Sequence, residues 1–133
     1  MTTEARDRGA TAVEVALLMP ILLVLVMGIV DFGRALHAQI TLTQAAREGV
    51  RVAALGQPNP TGRTQNAAIG LSSVGVAVTA CPAGSAGSAS AEVEATYTFE
   101  FVTPVGALAG ALGGGGFGDP ITLSAKGVMP CEK

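Results

Sequence analysis

Between Val15 and Val30 the chain reads VALLMPILLVLVMGIV, with no charged residue and eleven positions that are Val, Leu or Ile. Each such side chain favours the centre of a bilayer by about 0.3–0.6 kcal/mol, so the run contributes roughly 3–7 kcal/mol toward insertion. As a helix, Ala10 to Val30 at about 1.5 Å per residue spans roughly 31 Å, which matches a hydrocarbon layer of about 30 Å. A chain of 133 residues cannot surround such a helix with a core of its own. A single transmembrane helix over residues 10–30 is therefore expected.

A cleaved secretory signal would require a small-x-small site just past the run, and Gly33-Arg34-Ala35 is a poor match. Helical spacing also continues through that point, with Phe32, Leu36, Ile40, Thr43, Ala46, Val50 and Ala53 or Ala54 three or four apart. One long helix from about Ala12 to Leu55 is predicted, residues 31–55 continuing it outside the membrane with an apolar stripe. Gly56, Pro58 and Pro60 end it. Pro20 removes a helical hydrogen bond and crowds the carbonyl of Ala16, so a bend is expected there. Gly28 and Gly33 permit close approach of a partner helix. Arg47, Glu48 and Arg51 share one surface of the outer helix, as an ion-paired solvated face or as a subunit contact.

Net charge is −2 and mean hydropathy +0.49, so no basic patch exists to hold a nucleic acid directly. Trp is absent and His37 is the one histidine, which leaves no support for a catalytic triad or a His-rich metal site. Neither an enzyme nor a cofactor is expected, and His37 reads as a solvated helix residue. Arg6 and Arg8 precede the span whereas Arg34 alone follows it closely, which orients the N-terminus toward the cytoplasm. Cys81 and Cys131, an even pair in the C-terminal part, suit an oxidising compartment. They form a disulfide there or remain two buried thiols.

Residues 56–133 read as a small β-rich extracytoplasmic domain. Thr64 to Leu71 is a candidate short helix, Val74 to Ala80 a strand, and Pro82 to Ser90 a small-residue loop. Glu92 to Val102 is the clearest strand: Val93, Ala95, Tyr97, Phe99 and Phe101 alternate with polar residues. Glu92, Glu94 and Glu100 then lie on its wet face as solvated carboxylates. Thr103 to Asp119 reads as a loop, and its Gly113–Gly116 run lacks the following Lys-Ser/Thr of a phosphate cradle. A third strand covers about Ile121 to Val128. The fold class is α+β, a long N-terminal helix packed against a small antiparallel sheet.

At the N-terminus, Arg8-Gly9 precedes Ala10-Thr11-Ala12-Val13-Glu14 and the apolar run. This resembles a type IV prepilin processing site, at which a prepilin peptidase cuts after glycine and a glutamate stands fifth in the mature chain. The resemblance implies a leader of residues 1–9, cleavage between Gly9 and Ala10, and an assembly role for Glu14. A carboxylate at the edge of a span is costly, and the ammonium of a new Ala10 terminus is its natural partner. Val13-Glu14, Pro20, Gly28 to Arg34 and Thr43-Gln-Ala-Ala-Arg-Glu-Gly-Val-Arg51 together make residues 8–55 similar to the module of TadE-like proteins. These are pseudopilins of tight-adherence (Tad, or Flp) pilus systems. Val15 departs from the aromatic usual in the family. The resemblance implies a minor pseudopilin in the cytoplasmic membrane or the pilus. Its partners would be other pilin-like subunits, the assembly platform and the prepilin peptidase, serving adherence, biofilm formation or DNA uptake. The alternative is a single-pass anchored binding protein that enters no filament.

Overall fold

A computed structural model of the chain describes the backbone of residues 3–111, 113, 116 and 118–132, and their side chains from residue 9 onward except at 109. The elements are α1 (Thr3–Ala54), α2 (Pro60–Ala67), β1 (Gly75–Thr79), β2 (Ser90–Phe99), α3 (Val105–Ala111) and β3 (Ile121–Pro130). The fold is α+β.

Helix α1 begins at Thr3 rather than near Ala12, because Glu4, Ala5, Arg6 and Arg8 are good helix formers that continue the helix upstream. Helical structure persists through Pro20. At the other end Gly56 adopts a left-handed φ of 63°, a conformation that costs glycine nothing. The amide of Gln57 donates to the carbonyl of Val52, and that of Gly56 to Ala53, which satisfies two carbonyls of the last turn. The amide of Glu132 reaches the carbonyl of Ala54, so the chain's end completes the cap.

By compactness the chain divides into residues 34–100 with 120–133, and residues 1–33 with 101–119. The first unit holds an antiparallel sheet in the order β1-β2-β3. Val78 pairs with Val93, and Ala95 with Ala125. Along β2, Ala91, Val93, Ala95 and Phe99 are buried and the intervening residues are more exposed, the two-residue alternation of a one-sided strand. Leu42, Ala45 and Ala46 of α1 join Val74, Ala95 and Ala125 in one core cluster. Val50, Ala53 and Ala54 meet Ala91 and Val93 in a second. The expected stripe is thus half correct: Ala46, Val50 and Ala53 are buried, but Leu36 and Ile40 are exposed. Small side chains set the face against the sheet, since they let the helix lie close to it.

Two glycines show how close. A Cβ added at Gly127 of β3 would stand 2.8 Å from the carbonyl oxygen of Ala46. One added at Gly49 would stand 1.8 Å from the hydroxyl oxygen of Thr64 on α2. Helix α2 covers residues 60–67 instead of 64–71, because Pro60 fits its first turn and Asn59 caps it. Asn59 takes a left-handed φ of 60° and its side chain accepts from the Gly62 amide at 2.9 Å. On the wet face of the sheet Lys126 pairs with Glu92.

Strand β2 ends at Phe99, so Phe101 does not share its buried face as expected. The second unit explains this. There the carboxylate of Asp31 accepts the amides of Val102 and Thr103, both at 3.2 Å, and the Thr103 hydroxyl. Those amides are committed to α1 and cannot extend the ladder. The segment expected as a loop over residues 103–119 then contains α3. Gly114 and Gly115 of the glycine run lie outside the described residues, as do the side chains of Arg6 and Arg8.

Candidate functional site on the long helix

The first turns of α1 place Ala10 and Glu14 one turn apart on a common helix surface, both exposed. No hydrogen bond or ion pair reaches Glu14 among the described residues. Past it, every residue from Val15 to Val26 is exposed, with Leu17 at 71% and Ile21 at 65%. One helix, from Gly9 onward, is long and apolar enough to cross a membrane. A surface of this extent on a soluble monomer would drive association, so lipid or other apolar helices must cover it.

At the far end of the run stands a residue that the sequence pattern did not single out. Asp31 is only 2% exposed, and its oxygens are held by the two amides and the hydroxyl just described. Burial of a carboxylate is tolerated only when hydrogen bonds replace its hydration. The signal was present in the sequence, since an Asp directly after Val30 and before Phe32 is as costly at a membrane edge as Glu14 and has the same claim to a purpose.

On the outer helix Arg47 and Arg51 are exposed and Glu48 is half-buried. Glu48 does not serve Arg51 on its own helix. Its Oε1 accepts from Arg63 of α2, at 3.0 Å from Nε and 2.8 Å from Nη2. Two donors of one planar guanidinium fix that geometry. Arg51 and Arg63, with Gln57, Asn59 and Asn66, line an open cleft of about 470 Å³ beside this pair. Arg34 lies over the ring of Phe99, 5.3 Å from its centroid. His37 borders a cleft of about 150 Å³ with Tyr97 and Phe99. Cys81 and Cys131 are bridged, their Cα atoms 5.8 Å apart, which ties the segment after β1 to the segment after β3. Among the described residues no cluster of His, Cys, Asp or Glu is arranged to hold a metal ion.

The arrangement is one of surfaces, with an exposed carboxylate at Glu14 before the apolar run and polar side chains on the outer part of the helix. Residues 9–51 match the family model described as TadE-like protein. This segment is similar to the TadE-like family. It contains Gly9, Ala10, Glu14, Pro20, Asp31, Arg47, Glu48 and Arg51, and it ends before Ala53 and Ala54, which also pack on the sheet. No curated protein and no solved structure significantly matches the chain. The sheet lies outside the matched residues, and its role is read from its packing.

Proposed function

We propose that this chain is a minor pseudopilin of a Tad-type pilus, a structural subunit and not a catalyst. The similarity to the TadE-like family carries the reading, because Gly9 and a glutamate five residues on stand at the head of an apolar helix whose residues from Val15 to Val26 are all exposed. In this reading a prepilin peptidase removes residues 1–9, and α1 holds the chain in the cytoplasmic membrane with its N-terminus inside. The sheet stands outside, where an oxidising compartment maintains the Cys81–Cys131 bridge. Glu14 neutralises the ammonium of Ala10 on its own or a neighbouring helix. The exposed Leu36 and Ile40, together with Arg47 and Arg51, offer surface to other pilin-like subunits and to the assembly platform. Adherence, biofilm formation and DNA uptake are the functions such a pilus would serve.

Two measurements test this. Intact mass of the chain from membranes with the peptidase should give a terminus at Ala10, and without it a terminus at Met1. Glu14→Gln should still fractionate with membranes, since the apolar run supplies several kcal/mol of preference. It should lose crosslinking to partner pilins. Normal crosslinking and piliation by Glu14→Gln would refute the assembly role and favour a plain anchored binding protein.

A further inference from the structure

The unit formed by residues 1–33 and 101–119 contains a feature outside the proposed processing and assembly residues. Asp31 is the first residue after the apolar run, and it grips the chain at Val102 and Thr103. Met27 and Gly28, one turn back on the same helix surface, are the part-buried residues between 9 and 30, although nothing lies within 4 Å of a Cβ added at Gly28. They belong to the apolar run, and the other segment in their compact unit is residues 101–119.

The segment gripped there suits that position. From Phe101 to Gly118 the sequence has no charged residue. Val102 is 72% and Leu108 42% exposed. A Cβ at Gly118 would stand 2.4 Å from the Cα of Gly106, so the chain at Gly118 lies directly beside the start of α3. A helix as short as α3 offers under two turns, too little for a seam with another helix. Val, Leu, Ala and Gly without charge, fixed at the edge of a span, match the boundary between headgroups and acyl chains.

We infer that residues 101–111 are a second membrane contact, α3 lying in the headgroup boundary of the bilayer that α1 crosses. The inference rests on the reading that α1 is a span. Its occupant is the phospholipid surface, continuous with the lipid around α1.

Depth-dependent quenching in the full chain tests it. Single cysteines replace Leu108, Leu22 in the span or Ser124 on the exposed strand face, the native pair staying bridged, and each carries an environment-sensitive fluorophore. The vesicles are phosphatidylethanolamine and phosphatidylglycerol, with a nitroxide at a shallow acyl position to read Leu108 and Ser124 and, in a second set, deep in the acyl chain to read Leu22. The probe at Leu108 should be quenched several-fold more than that at Ser124 and about as strongly as that at Leu22. Quenching at Leu22 without quenching at Leu108 overturns the second contact and leaves the span intact. No quenching at Leu22 overturns the span, and this inference with it. Disulfide-linked dimers through Leu108→Cys in place of quenching assign the surface to a second copy and also overturn it. Asp31→Ala should lower quenching at Leu108 while that at Leu22 is kept, and full retention at Leu108 refutes the grip.

Discussion

Gly127→Ala is the sharpest probe of how the outer part of α1 meets the sheet. The added methyl would lie 2.8 Å from the carbonyl oxygen of Ala46, 3.0 Å from Cγ1 of Val50 and 3.1 Å from the carbonyl carbon of Ala46. Two of these are helix backbone atoms, so no rotamer change relieves the contact. Either α1 or β3 must shift. Overpacking of this kind costs about 1–3 kcal/mol, while replacing a strand glycine returns roughly 0.5–1 kcal/mol of backbone entropy. A net loss of about 1–2 kcal/mol is expected. Tyr97 is the one tyrosine in a chain without tryptophan, and it packs at the edge of the first core cluster. Its fluorescence through a urea titration in detergent micelles therefore reports on this packing. Gly33→Ala is the control, since nothing lies within 4 Å of a Cβ there, and it should hold or slightly raise the midpoint. An unchanged midpoint for Gly127→Ala would refute the close approach of helix and strand.

Three further outcomes follow from single contacts. Replacing Cys81 and Cys131 by Ser opens a loop with a sequence separation of 50; the chain-entropy relation puts the loss near 4 kcal/mol, and an unshifted urea midpoint would exclude a stabilising bridge. Arg63→Gln should cost at most about 1 kcal/mol, because the Arg63 and Glu48 side chains are 60% and 32% exposed and water screens the pair. That loss should shrink further in high salt. Asn59→Ala should destabilise α2 by about 1 kcal/mol through the lost cap, with Asn59→Gly costing less because its left-handed backbone suits glycine; equal midpoints for the two variants would deny the cap.

The long helix, its end at Gly56 and the alternation along β2 were legible in the sequence because each is local: hydrophobic period, a glycine at a helix end, side chains on alternate faces. What the sequence hid was long-range. The register of α1 on the sheet depends on how near small residues allow the backbone, and Ala45, Gly49 and Gly127 give no hydropathy signal of that. A stripe drawn through Phe32, Leu36 and Ile40 follows the larger apolar residues and leads to the exposed side. Likewise Phe101 continues the alternation of Tyr97 and Phe99, but a carboxylate seventy residues upstream takes the amides that would extend the strand. At the candidate site, Gly9, Ala10 and Glu14 form an ordered motif in the sequence, and the structure adds that Ala10 and Glu14 are exposed one turn apart on α1. Asp31 carries a sequence signal as a carboxylate at the edge of the apolar run, but its partners Val102 and Thr103 lie too far along the chain to be read from it.

The two carboxylates that bracket the apolar run have opposite situations, and this separates what the chain does alone from what it does with others. Asp31 is buried and satisfied within the chain by two amides and a hydroxyl. Glu14 is exposed, with no partner among the described residues, at a place where a bilayer makes an unpaired charge cost several kcal/mol. Asp31→Ala should therefore alter the isolated protein, and limited proteolysis in micelles should show faster cutting between Phe101 and Asp119. Glu14→Gln should leave that pattern unchanged and act only when other pilin-like subunits are present, as lost crosslinking. If Glu14→Gln changed proteolysis of the isolated chain while Asp31→Ala did not, the assignment of one charge to the fold and the other to assembly would be reversed.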